Sequence, residues 1–325
     1  MNFAVIGCGR IGIKRADALI SGVRLVGCFD LDAAASEKFA RDFNIEAFAS
    51  ISELLDRSGA DAVIIATLHD SLAEIATMAL NSKKHVLIEK PGALSKLELE
   101  KIAALANAKN LRVHIGYNHR YHPSIIRAFE IYSNNEIGDL MFMRARYGHG
   151  GRLGYENEWR AQKSLSGGGE LIDQGSHLID LAIGLFGKLT VDYAATPTYF
   201  WNTEVEDNAF VSLINSEGRI AFLHASCTEW KNLFSMEIYG RVGKIEISGL
   251  GMSYGVETLR LHKMLPQMGP PISQEWEYFE PDTSWQLEIE DFVKDIRTGS
   301  RFSDNVNSSI EVLGLIEQIY QRTGK

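Results

Sequence analysis

The chain has 325 residues, a formal net charge of −9, 45% apolar residues and 23% charged residues. At roughly 150 residues per domain this length predicts about two domains, with the composition of a globular chain that buries a full core. No basic surplus is available to neutralise phosphates, which excludes nucleic acid and anionic membrane surfaces as expected partners. No apolar run approaches the ~18 residues of a membrane span, and residues 1–6 enter a strand pattern at once instead of a secretory leader, so a cytoplasmic protein is expected. Cys8, Cys28 and Cys227 are odd in number and show neither CxxC nor Cys/His ligand spacing. They are expected to be reduced, buried small hydrophobes, and no metal site is expected.

In chain order, apolar runs at 4–6, 25–29, 62–66, 85–88 and 113–115 read as strands, separated by helix-period stretches at 11–20, 33–42, 71–80 and 97–108. Strands that are apolar throughout suit a sheet covered on both faces, and strand–helix alternation predicts a parallel doubly wound sheet. After Tyr117 the texture changes. A helix is expected over 171–186, followed by strands at 191–199, 209–214, 220–225, 234–239 and 244–247, spaced like an antiparallel sheet. Helices around 286–297 and 307–321 close the chain. The expected architecture is α/β: a Rossmann doubly wound parallel sheet over 1–120, then an α/β domain with an open, mainly antiparallel sheet over 121–325. The second domain is read as the one for substrate binding and oligomerisation. Strand residues such as Phe210, Val211, Phe222 and Leu223 are expected on an exposed apolar sheet face that joins a homodimer or homotetramer.

Gly7-Cys8-Gly9-Arg10-Ile11-Gly12 is a GxGxxG placed between a predicted strand and a predicted helix, the context in which that pattern binds a dinucleotide. Gly7 permits the turn, Gly9 lets the pyrophosphate approach, and Gly12 allows close helix packing, with the phosphates at the helix N-terminus near Arg10 and Ile11. Asp30 ends the second predicted strand, about 20 residues on, where an acid hydrogen-bonds the ribose 2′-OH and repels a 2′-phosphate. NAD is therefore expected and NADP disfavoured.

With Lys84-His85-Val86-Leu87-Ile88-Glu89-Lys90-Pro91, Gly116-Tyr117-Asn118-His119-Arg120-Tyr121 and Gly167-Gly168-Gly169-Glu170-Leu171-Ile172-Asp173-Gln174-Gly175-Ser176-His177, the sequence resembles the Gfo/Idh/MocA oxidoreductases over essentially its whole length. The resemblance implies a sugar, polyol or nucleotide-sugar substrate, a cis Lys90–Pro91 peptide, and Asn118 beside the nicotinamide or the substrate. Oxidising a secondary alcohol needs a hydride acceptor, a base, and positive charge to favour the alkoxide. Lys90, at the carboxyl edge of the sheet, suits the last role, with Glu89 beside it at the cofactor site. His177 suits the base, and Asp173, four residues earlier on the expected helix, either orients it or contacts substrate. The glycine run before Glu170 is expected to let substrate approach. Thr67 and His69 are expected near the cofactor, although Leu68 and Leu72 stand where the family pattern has a proline and a histidine. His149, Arg152, Tyr155, Trp159 and Arg160 form an expected substrate loop of stacking rings and anion-gripping guanidiniums, with Trp201 and Asn202 as weaker candidates. The expected function is an NAD-dependent dehydrogenase acting on a secondary hydroxyl of a sugar or cyclic polyol. Alternatives are a nucleotide-sugar dehydrogenase or ketoreductase, and a catalytically silent NAD-binding regulatory protein.

Overall fold

Strand β1 (Asn2–Ile6) buries Phe3, Ala4, Val5 and Ile6 completely, as a central strand sandwiched between helical layers must. It begins the order α1 (Arg10–Asp17), β2 (Arg24–Phe29), α2 (Ala33–Phe43), β3 (Glu46–Ala47), α3 (Ile51–Arg57), β4 (Ala62–Ile65), α4 (Leu72–Asn81), β5 (His85–Glu89), α5 (Lys96–Ala108) and β6 (Val113–Gly116). All pairings in this computed structural model's first sheet are parallel, in the order β3-β2-β1-β4-β5-β6. Local chemistry sets the helix starts. The Asp32 side chain accepts from the Ala34 N–H, and Ser95 forms a capping box with Glu98. The sequence pattern missed β3 and α3. A two-residue exposed strand carries no periodicity, and α3 spans barely two turns beyond its Ser50 cap.

The second sheet follows α6 (Pro123–Ser133). Its strands are β7 (Leu140–Gly148), β8 (Thr190–Ala195), β9 (Asn208–Ile214), β10 (Ile220–Ser226), β11 (Leu233–Gly240), β12 (Gly243–Ser248), β13 (Glu257–Lys263) and β14 (Ile272–Tyr278). The order is β14-β13-β12-β11-β7-β10-β9-β8, antiparallel except for the β7–β10 pair. The short α7 (Lys163–Ser166) and the long α8 (Ser176–Phe186) interrupt the strands between β7 and β8. Val211 and Leu223 point to the helix side and are buried, whereas Phe210 is half-buried and Phe222 exposed on the opposite face. Adjacent strand residues face opposite sides, so the four do not share one apolar surface as expected. The open face mixes those two rings with Arg144, Glu237, Lys244 and Glu246, joined in ion pairs.

Residues 1–300 and 305–325 are described, and they divide into two units: Met1–Tyr117 with Trp285–Leu313, and Asn118–Ser284 with Gly314–Lys325. The expected cut at residue 120 differs little. The expected grouping of everything after it does not match, because the chain returns. In α9 (Ser284–Thr298), Ile289, Phe292 and Val293 pack into the cluster of Phe3, Val5, Cys28 and Phe39. The final helix is α10 (Val306–Thr323). Among the described residues no helix is long and apolar enough to cross a membrane.

The same return completes a buried ion cluster in the first unit. Arg15 of α1 has no solvent exposure. Its Nε and Nη2 each lie 2.6 Å from Glu89 Oε1, Nη1 donates to Glu288 of α9, and its guanidinium sits 4.4 Å from the Trp285 ring centre. His114 Nε2 lies 3.4 Å from Glu288 Oε1. Burial works to raise Glu288, but Arg15 and His114 hold it below the ordinary carboxylate value. For Glu89 burial prevails, with the charge of Glu288, over the pull of Arg15. Arg15→Met, which keeps bulk and removes charge, strips both buried carboxylates of their shared cation and leaves Glu288 with His114 alone. It should cost about 3–5 kcal/mol, read as a lower urea midpoint with an unchanged slope.

Candidate active site

The glycine turn between β1 and α1 separates glycines required by the protein itself from one that is not. A Cβ on Gly7, whose φ is 98°, would come within 2.5 Å of the Ala66 carbonyl oxygen, and one on Gly12 within 1.9 Å of the Gly7 oxygen. Neither position has room for a side chain. Gly9 has an ordinary φ of −72°, and a Cβ there would meet nothing within 4 Å. Its exposed backbone is the N-cap of α1 and offers no side chain to the first-turn N–H groups of Arg10, Ile11 and Gly12. A bare helix N-terminus with open space before it is suited to an anion. Asp30 stands beside this turn. Its Oδ2 accepts from Cys8 N (2.7 Å) and its Oδ1 from Asp32 N (2.9 Å). These residues fit a dinucleotide pyrophosphate and ribose.

The other candidates of this unit are placed unevenly. Thr67 Oγ1 accepts from Ser71 Oγ at 2.9 Å, and His69 is buried at the start of the turn before α4. The Glu89 carboxylate is turned to Arg15, a structural engagement that the sequence did not suggest. Lys90 is half-buried directly after β5, and the Lys90–Pro91 peptide is cis.

In the second unit the motif glycines again serve the fold. A Cβ on Gly168 would fall 2.0 Å from the Tyr320 hydroxyl, and one on Gly169 1.9 Å from the Glu206 carbonyl. They are required by packing within the unit, where the sequence suggested substrate approach. Glu206 caps the segment that follows, its Oε1 accepting from Gly169 N (3.1 Å), Leu171 N (3.0 Å) and Tyr320 Oη (2.8 Å). That segment is not one continuous α-helix. Leu171–Gly175 is a π-turn leading into α8, so Asp173 and His177 lie on either side of a change in helical pitch.

Asp173 is nearly buried, and its Oδ2 accepts from Arg160 Nε at 3.1 Å. Burial opposes charge on Arg160, but Asp173 alongside raises its pKa above the ordinary value. The His177 ring is buried against His119, whose ring is stacked on it with centroids 3.8 Å apart and 21° between planes. Tyr147 meets His119 edge-on at 4.8 Å, and His122 lies behind it at 5.6 Å. Asn118 Nδ2 donates to Ser284 Oγ at 2.9 Å.

The loop over residues 149–161 is anchored on this segment. Tyr155 Oη donates to Glu170 Oε1 at 2.8 Å, and Arg152 pairs with Glu158 at 2.7 Å. Arg160 lies 4.5 Å from the ring centre of its neighbour Trp159. His149 Nδ1 accepts from Gly151 N (3.0 Å), so the neutral ring carries its hydrogen on Nε2, 3.6 Å from Glu170 Oε1. Burial lowers the His149 pKa, reinforced by Arg160 and Arg152. Trp201 donates through Nε1 to the Cys227 carbonyl and packs under Gly151, while Asn202 is exposed. Sequence reasoning brought His149, Tyr155, Arg160, Asp173 and His177 into one neighbourhood of this unit. It missed His119, Glu170 and Glu206 as contributors. The only signal for the first two was their presence inside quoted motifs, and Glu206 gave none.

A parallel sheet with an open-faced glycine turn, joined to a mixed sheet bearing a buried histidine and aspartate, defines a two-unit α/β protein of the Rossmann class. Residues 1–117 match the oxidoreductase family described as NAD-binding Rossmann fold, and residues 125–246 match the GFO/IDH/MocA C-terminal domain. The chain belongs to the Gfo/Idh/MocA oxidoreductase family. It is 32% identical over 191 residues to glucose-6-phosphate 3-dehydrogenase of Bacillus subtilis (strain 168), a match covering 57% of this chain and 53% of that protein. The chain spans about half the length of several of the curated relatives it matches. In fold it is similar to a crystal structure of an oxidoreductase described as NADPH-dependent from Desulfitobacterium hafniense DCB-2, at TM-score 0.90 and 22% identity, covering 99% of this chain and 95% of that one. It is likewise similar to levoglucosan dehydrogenase in complex with NADH, at TM-score 0.87 and 20% identity, covering 99% and 98%.

Asp30→Ala removes both the acceptor that holds Cys8 N and the acid at the turn. NADH binding, followed by nucleotide fluorescence, should weaken roughly tenfold, the scale of one charge-assisted hydrogen bond, and the preference over NADPH should narrow. An unchanged NADH/NADPH ratio would remove Asp30 from the cofactor site.

Proposed function

We propose that this chain is an NAD-dependent dehydrogenase that oxidises a secondary hydroxyl of a sugar or cyclic polyol. The observation that carries the reading is Gly9: nothing in the protein needs a glycine there, while a pyrophosphate at the bare N-terminus of α1 does. When bound, NAD supplies the hydride acceptor. Gly7, Gly9, Arg10, Ile11, Gly12 and Asp30 hold it, with Thr67 and His69 nearby. In this reading the substrate C–H leaves as hydride, its O–H proton passes to His177, and the Lys90 ammonium favours the alkoxide as the carbonyl forms. Asp173 and Asn118 orient the substrate, and the loop 149–161 encloses it. The first unit serves as the dinucleotide domain and the second as the substrate domain.

A free sugar or polyol is favoured over a nucleotide-linked one by charge. Arg152 and Arg160, the guanidiniums available in the loop for a diphosphate, are already paired with Glu158 and Asp173. The three buried, unbridged thiols suit the reducing cytoplasm. Assembly into a homodimer or homotetramer through the open sheet face is part of the same reading, supported by Phe210 and Phe222 on that face.

A screen of free sugars, inositols and nucleotide sugars for NADH formation tests the substrate class, and turnover confined to nucleotide sugars would overturn it. On the substrate so found, His177→Ala should lower kcat by ~10²–10⁴ with NAD affinity little changed. Lys90→Ala should lower turnover comparably and also weaken substrate binding. Near-normal turnover in the His177 variant would mean that the base is elsewhere. Light scattering should give two or four times the 36.2 kDa chain mass, and a monomer at micromolar concentration would reject the assembly.

A further inference from the structure

Glu170 has no part in the chemistry above, yet it is one of the most deeply buried carboxyls of the second unit, at 1% exposure. Its hydrogen-bond partners are neutral and weak: the Tyr155 hydroxyl, which donates to Oε1 at 2.8 Å, and the Cys227 thiol. The buried acids around it are supported differently. Asp173 faces Arg160, and Glu206 takes two backbone N–H groups and the Tyr320 hydroxyl. A phenol and a thiol, with no cation and no backbone N–H on the carboxyl, are too little to hold a charge out of water.

We infer that Glu170 is a positioning residue that acts as a neutral acid, latching the loop over residues 149–161 to the turn that carries Asp173. Two side-chain contacts tie that loop to the turn itself: Tyr155 on Glu170 and Arg160 on Asp173, three residues further on. His149 adds its Nε2–H face at 3.6 Å from the same Glu170 oxygen. The start of the loop is held separately, by backbone bonds of His149 to Ser226 and Glu229 and by Trp201 under Gly151, and Leu153 at the tip is fully exposed, so docking onto the turn is carried by the tyrosine and the arginine. A proton on Glu170 leaves Arg160 matched to a single charge, that of Asp173. Ionised, Glu170 would add a second negative charge with no cation of its own.

The groups facing Glu170 are Tyr155 and His149 from the loop, Asp173 from the turn, Glu206 from the loop leading into β9, and Cys227 following β10. Burial, followed by the charge of Asp173, pushes Glu170 up to about 8 from an ordinary 4.5. Undocking that hydrates Glu170 therefore releases its proton between those two values. Docking is fullest below the ordinary value, weakens as pH rises between the two, and levels off above about 8. The consequence for substrate rests on the reading of this loop as part of the substrate pocket, but the docking itself is measured without substrate or cofactor.

Hydrogen exchange followed by mass spectrometry on the intact chain tests it. After correction for the intrinsic pH dependence of exchange, amides of 149–161 should open at least about tenfold more readily at pH 8.5 than at pH 5.5. Glu170→Gln, a neutral isostere, should hold the loop as closed at both pH values as the wild type is at the lower one. Tyr155→Phe, which removes the donor, should raise exchange at both. A wild-type loop whose corrected exchange does not change with pH overturns the inference, and so does a Glu170→Gln loop that keeps the acceleration. Loss of dehydrogenase activity in the screen above would leave these exchange results standing, so the two readings fail separately.

Discussion

The first unit is organised around a charge that cannot reach water. Arg15 lies between Glu89 and Glu288 with the Trp285 ring against it, and each partner comes from a different element. Taking a guanidinium and two carboxylates out of water costs several kcal/mol per ion, recovered only if the geometry is kept. That requirement ties α1 to the end of β5 and to α9. The helix whose N-terminus fits a pyrophosphate and the residue directly preceding Lys90 are therefore referenced to one point. Because Gly9 caps the helix that carries Arg15, a shift of α1 along its axis moves the glycine turn and strains the ion cluster together.

The second unit meets the opposite problem, an excess of buried acid, and gives each carboxyl its own remedy. Glu206 is paid in backbone N–H groups, and Asp173 has a guanidinium. Asp207 accepts from the N–H groups of Tyr199, Phe200 and Trp201, which lower it despite the cost of burial. Glu257 accepts from Ser124 N and faces His122. Glu170 has neither cation nor backbone N–H on its carboxyl, only the Tyr155 phenol and the Cys227 thiol, with neutral His149 nearby. Different remedies give neighbouring carboxyls different proton affinities inside one short stretch of chain, the arrangement by which one site holds both charged and neutral acids at one pH.

Much of this was legible in the sequence, for identifiable reasons. Central strands buried on both faces are apolar at every position, so β1, β4 and β5 stand out. The glycine turn reads clearly because its geometry excludes side chains at Gly7 and Gly12. Hairpin spacing foretold the second sheet, but not its central strand β7, whose alternation Met143-Arg144-Ala145-Arg146-Tyr147 puts two arginines on the open face. The parallel β7–β10 contact was also hidden, since it joins residues far apart in sequence. Candidate residues were legible where a residue type announces its chemistry, as with His177 and Asp173, whose roles are proposed here. They were hidden where function lies in a partner. Arg15 looks like any helix arginine until Glu288 is set beside it, and the motif glycines at 168 and 169 give no sign that Tyr320 and Glu206 fill the space they leave.

The return of α9 also sets an order of events on the ribosome. Residues 1–117 emerge first, with Arg15 and Glu89 in place, but Glu288 follows only after the entire Asn118–Ser284 segment has been made. At ~5–20 residues per second that delay is on the order of ten to thirty seconds. Through that interval the nascent sheet holds a guanidinium with one of its two carboxylates, and the apolar surface that Ile289, Phe292 and Val293 will cover stays open. The final closure of the first unit is therefore a late, long-range event, completed only when α9 reaches the core it covers.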